Sequence, residues 1–243
     1  MLEAVVLAGG LGTRLRGVVP GTPKAMAAVA GRPFLEILLD GLAQHGFGRV
    51  VLSVGYLAEQ ISGHFGNTYQ GMQIAYAVED TPLGTGGAVR LALESCATDH
   101  AFVYNGDTYL DLEVAAVERQ WQDHRRPIVV CKSVADTARY GRVQLDPGGT
   151  QLAGFAEKGA AGPGLINVGC YVLPRRQLDG YLPGVPFSLE IDYLAQAVPG
   201  TAVDVFVTAG HFIDIGVPDD YARAQIELHA RATQGTPARQ PLS

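Results

Sequence analysis

Lysine is almost missing from this chain. Of its 18 cationic side chains 15 are arginine, and the lysines are Lys24, Lys132 and Lys158. Charge of either sign is thin: 17% of the 243 residues, against ~25% in an average globular protein. The net charge is -6 with no basic run, which excludes a dedicated nucleic-acid binder. No apolar run approaches the ~20 residues needed to cross a bilayer, so no membrane partner is expected. The first residues lack the charged and apolar regions of a secretory leader. Cysteine is scarce, odd in number and widely spaced: Cys96, Cys131 and Cys170. They read as buried, reduced thiols of a cytoplasmic protein. The six histidines show neither HxH nor HExxH spacing, so zinc is not expected.

What is present is apolar residue and glycine. At 47% hydrophobic the chain has ample material for a core. Its 31 glycines are about 13% of the residues, against a usual ~7%. Strand and helix signals alternate through the first half. Glu3–Ala8, Val50–Val54, Met72–Val78, Ala101–Tyr104 and Ile128–Lys132 read as strands. Pro33–His45, Leu57–Phe65, Gly87–Cys96 and Val114–His124 read as helices between them. In the first helix Phe34, Leu35, Leu38, Leu39 and Leu42 share one face. This rhythm predicts an α/β protein with a mostly parallel sheet covered on both faces. After about residue 135 the segments shorten: Arg142–Leu145, Leu152–Ala156 and Ile166–Leu173, with turn residues between. A closing helix is expected over Asp219–His229.

The first strand runs into Gly9-Gly10-Leu11-Gly12-Thr13-Arg14. Ligands of open α/β sheets bind beyond the carboxyl ends of strands, and clustered glycines let backbone N–H groups approach a polyphosphate. The run is neither a dinucleotide fingerprint, which needs glycine where Leu15 stands, nor a Walker A loop, because Lys24 follows a proline. A tight structural turn would use the same glycines. Arg14 and Lys24 downstream add the cations of a triphosphate site. Asp107 and Asp214 follow strand-like segments, and two converging carboxylates suit a hard cation such as Mg²⁺. An aspartate at a strand end equally serves to cap a turn.

LAGGLGTRLRGVVPGTPKAM resembles the signature of the sugar-1-phosphate nucleotidyltransferases. The resemblance continues in order through PLGTGGA (Pro82–Ala88), VYNGD (Val103–Asp107), RYGRV (Arg139–Val143), FAEK (Phe155–Lys158), INVG (Ile166–Gly169) and FIDIGVPDDY (Phe212–Tyr221). Within the family, SVGY, FSLEIDYL and FIDIG are most similar to the guanylyltransferases of D-glycero-α-D-manno-heptose 1-phosphate.

The resemblance implies a Rossmann-like three-layer α/β sandwich of the nucleotide-diphospho-sugar transferase type, with a smaller sugar-binding part. One domain would span 1–230, with a nucleotide-binding half over 1–134 and a sugar-phosphate half over 135–230. Residues 231–243 would form a flexible tail. The implied reaction joins a sugar 1-phosphate to an NTP and releases pyrophosphate by in-line attack, aided by Mg²⁺ on Asp107 and Asp214. Arg14, Lys24 and Asp107 would be catalytic. Leu7, Gly9, Gly10, Gly12, Thr13, Glu79, Gly84 and Thr85 would join them around the nucleotide. Tyr140, Gly141, Glu157, Lys158 and Asn167 would hold the sugar phosphate. The glycine excess, Gly86, Gly87 and Gly106 included, would let phosphates, base and metal approach the backbone. Glu79 lies where the family reads the base. Its two oxygens match guanine N1–H and N2–H₂, which favours GTP, though a carboxylate there also serves to cap a turn. The partners are then small-molecule substrates, and a homo-oligomer is compatible with the sequence.

Overall fold

The computed structural model describes residues 1–10, 21–156, 161–197 and 202–234. The first half alternates β1 (Leu2–Leu7), α1 (Phe34–Gln44), β2 (Phe47–Val54), α2 (Ala58–Phe65), β3 (Met72–Val78), α3 (Gly84–Glu94) and β4 (His100–Asn105). A short β5 (Thr108–Leu110) and α4 (Val114–His124) lead to β6 (Ile128–Val134). Then come β7 (Arg142–Leu145), β8 (Leu152–Phe155), the long β9 (Gly164–Pro174), β10 (Asp204–Thr208), β11 (Phe212–Asp214) and α5 (Pro218–Gln234).

A ten-stranded sheet runs through both halves of the chain in the order β8-β7-β9-β4-β1-β2-β3, with Thr68–Tyr69 at the edge; β6 joins β9 to β10. The β4-β1-β2-β3 portion is parallel. Strand β9 runs antiparallel to β4, β6 and β7. The side-chain period of two sorts each strand between two cores. Ala4, Val6, Phe102, Tyr104, Ile128 and Val130 face one layer, built from α1, α2, α4 and α5. Val5, Val51, Ala101, Val103, Val129 and Cys131 face the other, built from α3 and the segment after Phe187. This is the expected three-layer sandwich.

All five apolar residues that define the α1 face are buried. The three cysteines are buried and free. Burial pushes the thiols of Cys96 and Cys131 up to about 12, which keeps them protonated and inert. Among the described residues no helix is long and apolar enough to cross a membrane.

Three expectations change. Helix α3 begins at Gly84, three residues before the expected start at Gly87, so Gly84 and Gly86 lie in its first turn. Helix α5 runs to Gln234, past the expected boundary at 230; no Gly or Pro interrupts the sequence until Gly235. Residues 189–194, unassigned from sequence, form a single π-helical turn.

The carboxyl edge of the parallel strands is shaped by close backbone approach. Gly106 crosses the end of β1, its N–H donating to the Leu7 carbonyl at 3.0 Å. A Cβ at Gly106 would lie 2.4 Å from that oxygen. Gly106→Ala is therefore expected to destabilise the protein by about 1–3 kcal/mol, read as a lower urea midpoint at unchanged slope.

Candidate active site

The parallel strands end together. Past β1 the Ala8 N–H donates to the Ser53 carbonyl of β2 at 2.8 Å, and Gly9 and Gly10 follow. A Cβ on Gly9 would lie 2.9 Å from Glu79 Oε1, so the bare backbone lets the chain rest against Glu79. Both Glu79 oxygens have protein partners. Oε1 accepts from the Ser53 hydroxyl at 3.1 Å, and Oε2 from the Leu83 N–H at 3.0 Å. The carboxylate thus braces the turn leading into α3.

Asp107 follows Gly106 directly. Strands β5 and β11 form an antiparallel ribbon that sets Asp214 opposite Thr108. The Ile215 N–H donates to the Asp107 carbonyl at 2.9 Å, fixing the two aspartates side by side. Lys24 enters from a short 3-10 turn, Lys24–Met26, and its ammonium bonds the Asp107 carboxylate. A Cβ at Gly216 would lie 2.7 Å from Asp214 Oδ1 and 3.0 Å from Lys24 Nζ, so that glycine leaves the space between them open. Burial, and then the neighbouring charge of Asp107, push the Asp214 carboxyl above its ordinary value. Among the described residues no group of three or more His, Cys, Asp or Glu is placed to enclose a metal. The aspartate pair offers two carboxylate ligands and leaves the remaining positions to other oxygens.

Strand β9 carries the second group. Its pairing with β6 slips between Asn167 and Tyr171, at a bulge where Gly169 has φ +70°. The Asn105 side chain fills the place of a Gly169 Cβ, which would lie 2.3 Å from Nδ2. The bulge turns Asn167 so that its Nδ2 donates to the Tyr171 hydroxyl at 2.8 Å. Tyr140 packs edge-on against Phe212, beside the aspartate ribbon. A Cβ at Gly141 would lie 3.6 Å from the Ala156 carbonyl, next to the stretch that holds Glu157 and Lys158. Gly12, Thr13, Arg14, Glu157 and Lys158 lie outside the described residues.

Several residues gain partners that sequence spacing did not reveal. Thr85 uses its hydroxyl within the protein, donating to Glu190 Oε2 at 2.8 Å. The space beside Gly86 belongs to the Phe187 ring, 2.2 Å from a would-be Cβ, and Leu83 crowds Gly87. These two glycines serve packing, not phosphate approach. Of the expected approach glycines that are described, only Gly10 has open space around a would-be Cβ. Lys132, given no role from sequence, donates to the carbonyls of Ala209 at 3.2 Å and Gly210 at 2.6 Å.

Helix α5 ties the site together. Buried Asp220 accepts from Arg139, next to Tyr140, and pairs with Arg223 at 2.9 Å. Tyr221 and Gln225 donate to the Ala28 carbonyl at 2.6 and 2.8 Å. Gln225 Oε1 accepts from the Ala30 N–H at 2.9 Å, just downstream of Lys24.

Gly9, Gly10, a cation and two carboxylates lie at the carboxyl edge of a parallel sheet, where open α/β folds bind their ligands. Residues 3–231 match the family model described as nucleotidyl transferase, and the chain belongs to that family. Within it the chain is a sugar-1-phosphate nucleotidyltransferase, joining a sugar 1-phosphate to a nucleoside triphosphate. It is 36% identical over 228 residues to D-glycero-alpha-D-manno-heptose 1-phosphate guanylyltransferase of Aneurinibacillus thermoaerophilus, covering 93% of this chain and 98% of that one. The enzyme of the same name from Campylobacter jejuni is 34% identical over 220 residues, covering 90% and 97%. The crystal structure of HddC from Yersinia pseudotuberculosis superposes with a TM-score of 0.83 at 35% identity, covering 94% of this chain and all of that one. The same protein complexed with GMP-PN gives an equal likeness.

Gly216→Ala tests the space between the aspartate and the lysine. A methyl group there is expected to lower the rate of pyrophosphate release at least tenfold, about 1.4 kcal/mol in barrier. The melting temperature should stay unchanged.

Proposed function

We propose that the chain joins GTP to D-glycero-α-D-manno-heptose 1-phosphate, giving GDP-heptose and pyrophosphate. The observation that carries this reading is the convergence of Lys24, Asp107 and Asp214 at the carboxyl edge of the parallel strands. The choice of guanine and heptose rests on the two guanylyltransferase relatives and on the HddC likeness. It does not rest on Glu79, whose oxygens brace the α3 turn.

The sugar phosphate oxygen attacks the α-phosphorus while pyrophosphate leaves in line. Both reactants are anions, so the protein's task is neutralisation and alignment. Gly9 and Gly10 offer backbone to the triphosphate. Lys24 carries positive charge to the phosphates, and Arg14 clamps the departing pyrophosphate as a planar fork. Thr85 and Gly84 shape the first turn of α3 near the base. On the other side Lys158 meets the sugar phosphate, while Glu157, Tyr140, Gly141 and Asn167 contact the sugar.

The two aspartates fit Mg²⁺, which takes oxygen ligands and is commonly held by one or two carboxylates plus substrate phosphates. When bound there it supplies charge neutralisation at the phosphate oxygens. Asp107 and Asp214 would hold it, with Gly216 keeping the approach clear. We place the reaction in the cytoplasm, a compartment that keeps thiols such as the three buried cysteines reduced.

A grid of nucleoside triphosphates against sugar 1-phosphates, read by pyrophosphate release, tests the reading. GTP with the heptose 1-phosphate should give the highest kcat/KM. Mannose 1-phosphate as the better acceptor would reassign the sugar, and UTP or dTTP as the better donor would reassign the base. GTP binding with no release on any acceptor would make the chain a non-catalytic binding subunit. Asp107→Asn should abolish Mg²⁺-dependent turnover and keep the fold, and near-normal activity would remove it from the metal site. Lys158→Ala should raise KM for the sugar phosphate at little change for GTP.

A further inference from the structure

The FSLEIDYL segment builds a hydrogen-bonded relay to the sugar side. Its centre is Glu190, in the π-helical turn, with three hydroxyl groups around it. Tyr171 donates to Oε1 at 2.9 Å. Thr85 at 2.8 Å and Ser188 at 3.1 Å both donate to Oε2. The Thr85 hydroxyl in turn accepts from the Leu189 N–H at 2.9 Å, so its direction is fixed. Tyr171 lies in the middle of the sheet with no exposure. Burial, reinforced by the charge of Glu190, pushes its phenol well above the ordinary range, so it stays a donor. Its lone pair is then left for Asn167 Nδ2, which donates to it at 2.8 Å. The other end of the amide, Oδ1, accepts from the Gly169 N–H at 2.9 Å.

An amide has two ends of opposite hydrogen-bonding character and can turn over. Here each end has a partner of one character only. The acceptor at Glu190 orders the Tyr171 hydroxyl, and that hydroxyl orders the amide. The second N–H of Asn167 is left without a role in the relay.

We propose that Glu190 and Tyr171 are positioning residues for the sugar phosphate: they hold the Asn167 amide in one orientation so that its remaining N–H faces a sugar oxygen. The inference rests on the sugar-side reading of Asn167 given above. Neither residue touches substrate. Their effect passes through Asn167, and it concerns the sugar substrate more than the nucleotide.

Tyr171→Phe cuts the relay between Glu190 and Asn167 and leaves the Thr85 branch in place. Pyrophosphate release is measured with each substrate varied in turn, using the best sugar 1-phosphate of the grid. KM for that sugar phosphate should rise roughly fivefold, the effect of one hydrogen bond, while KM for GTP stays within about a factor of two. In an Asn167→Ala background the same change should raise KM no further, because the group it positions is gone. Glu190→Gln keeps the shape but turns a donor toward a hydroxyl, and should raise KM for the sugar phosphate as well. It carries the test if Tyr171→Phe does not fold. A purely structural role would lower the melting temperature and kcat while leaving both KM values alone, and that result overturns the proposal. Full additivity with Asn167→Ala overturns it too. If the unmodified protein releases pyrophosphate from no sugar 1-phosphate, the functional reading falls and takes the relay with it. Activity with an unmoved KM overturns the relay alone.

Discussion

Two carboxylates are forced together at the edge of this sheet, and much of the site exists to hold them there. Burial, and then the charge of Asp107, disfavour the ionised form of Asp214 and push its carboxyl above the ordinary value. Side chains alone would swing apart. The backbone prevents this through a short ribbon and one bond from the Ile215 N–H to the Asp107 carbonyl. Lys24 sets its ammonium against Asp107. The scarcity of lysine makes its presence at this point the more telling.

The fold was legible where local pattern and tertiary burial agree. The α1 face could be read directly because its five apolar residues are also the five that the core takes. Asp107 was legible for a similar reason: a strand, a glycine and a carboxylate follow one another, and the chain has one way to present them. Asp214 could be paired with it through the family resemblance, whereas the ribbon that joins them spans about a hundred residues.

Residues whose partners are distant in sequence escaped. Glu190 lies inside a quoted motif, yet its hydroxyl partners come from α3 and β9 as well as its own segment. Lys132 bonds two backbone carbonyls more than seventy residues away, and carbonyls leave no mark in a sequence. The glycines mislead in a different way. Gly86 and Gly87 follow a nucleotide-like pattern, but the atoms that need their space are those of Phe187 and Leu83. A missing side chain shows that something comes close. It does not show whether that is a ligand or the protein itself.

Helix α5 follows every proposed substrate-binding residue in the chain. It nevertheless grips the backbone beside Lys24 through Tyr221 and Gln225, and steadies Arg139 through Asp220. During synthesis Lys24, both aspartates and the sugar-side strands therefore leave the ribosome before the helix that grips the backbone beside Lys24. The contacts that steady the backbone beside Lys24 and the Arg139 side chain thus form only after α5 has been made.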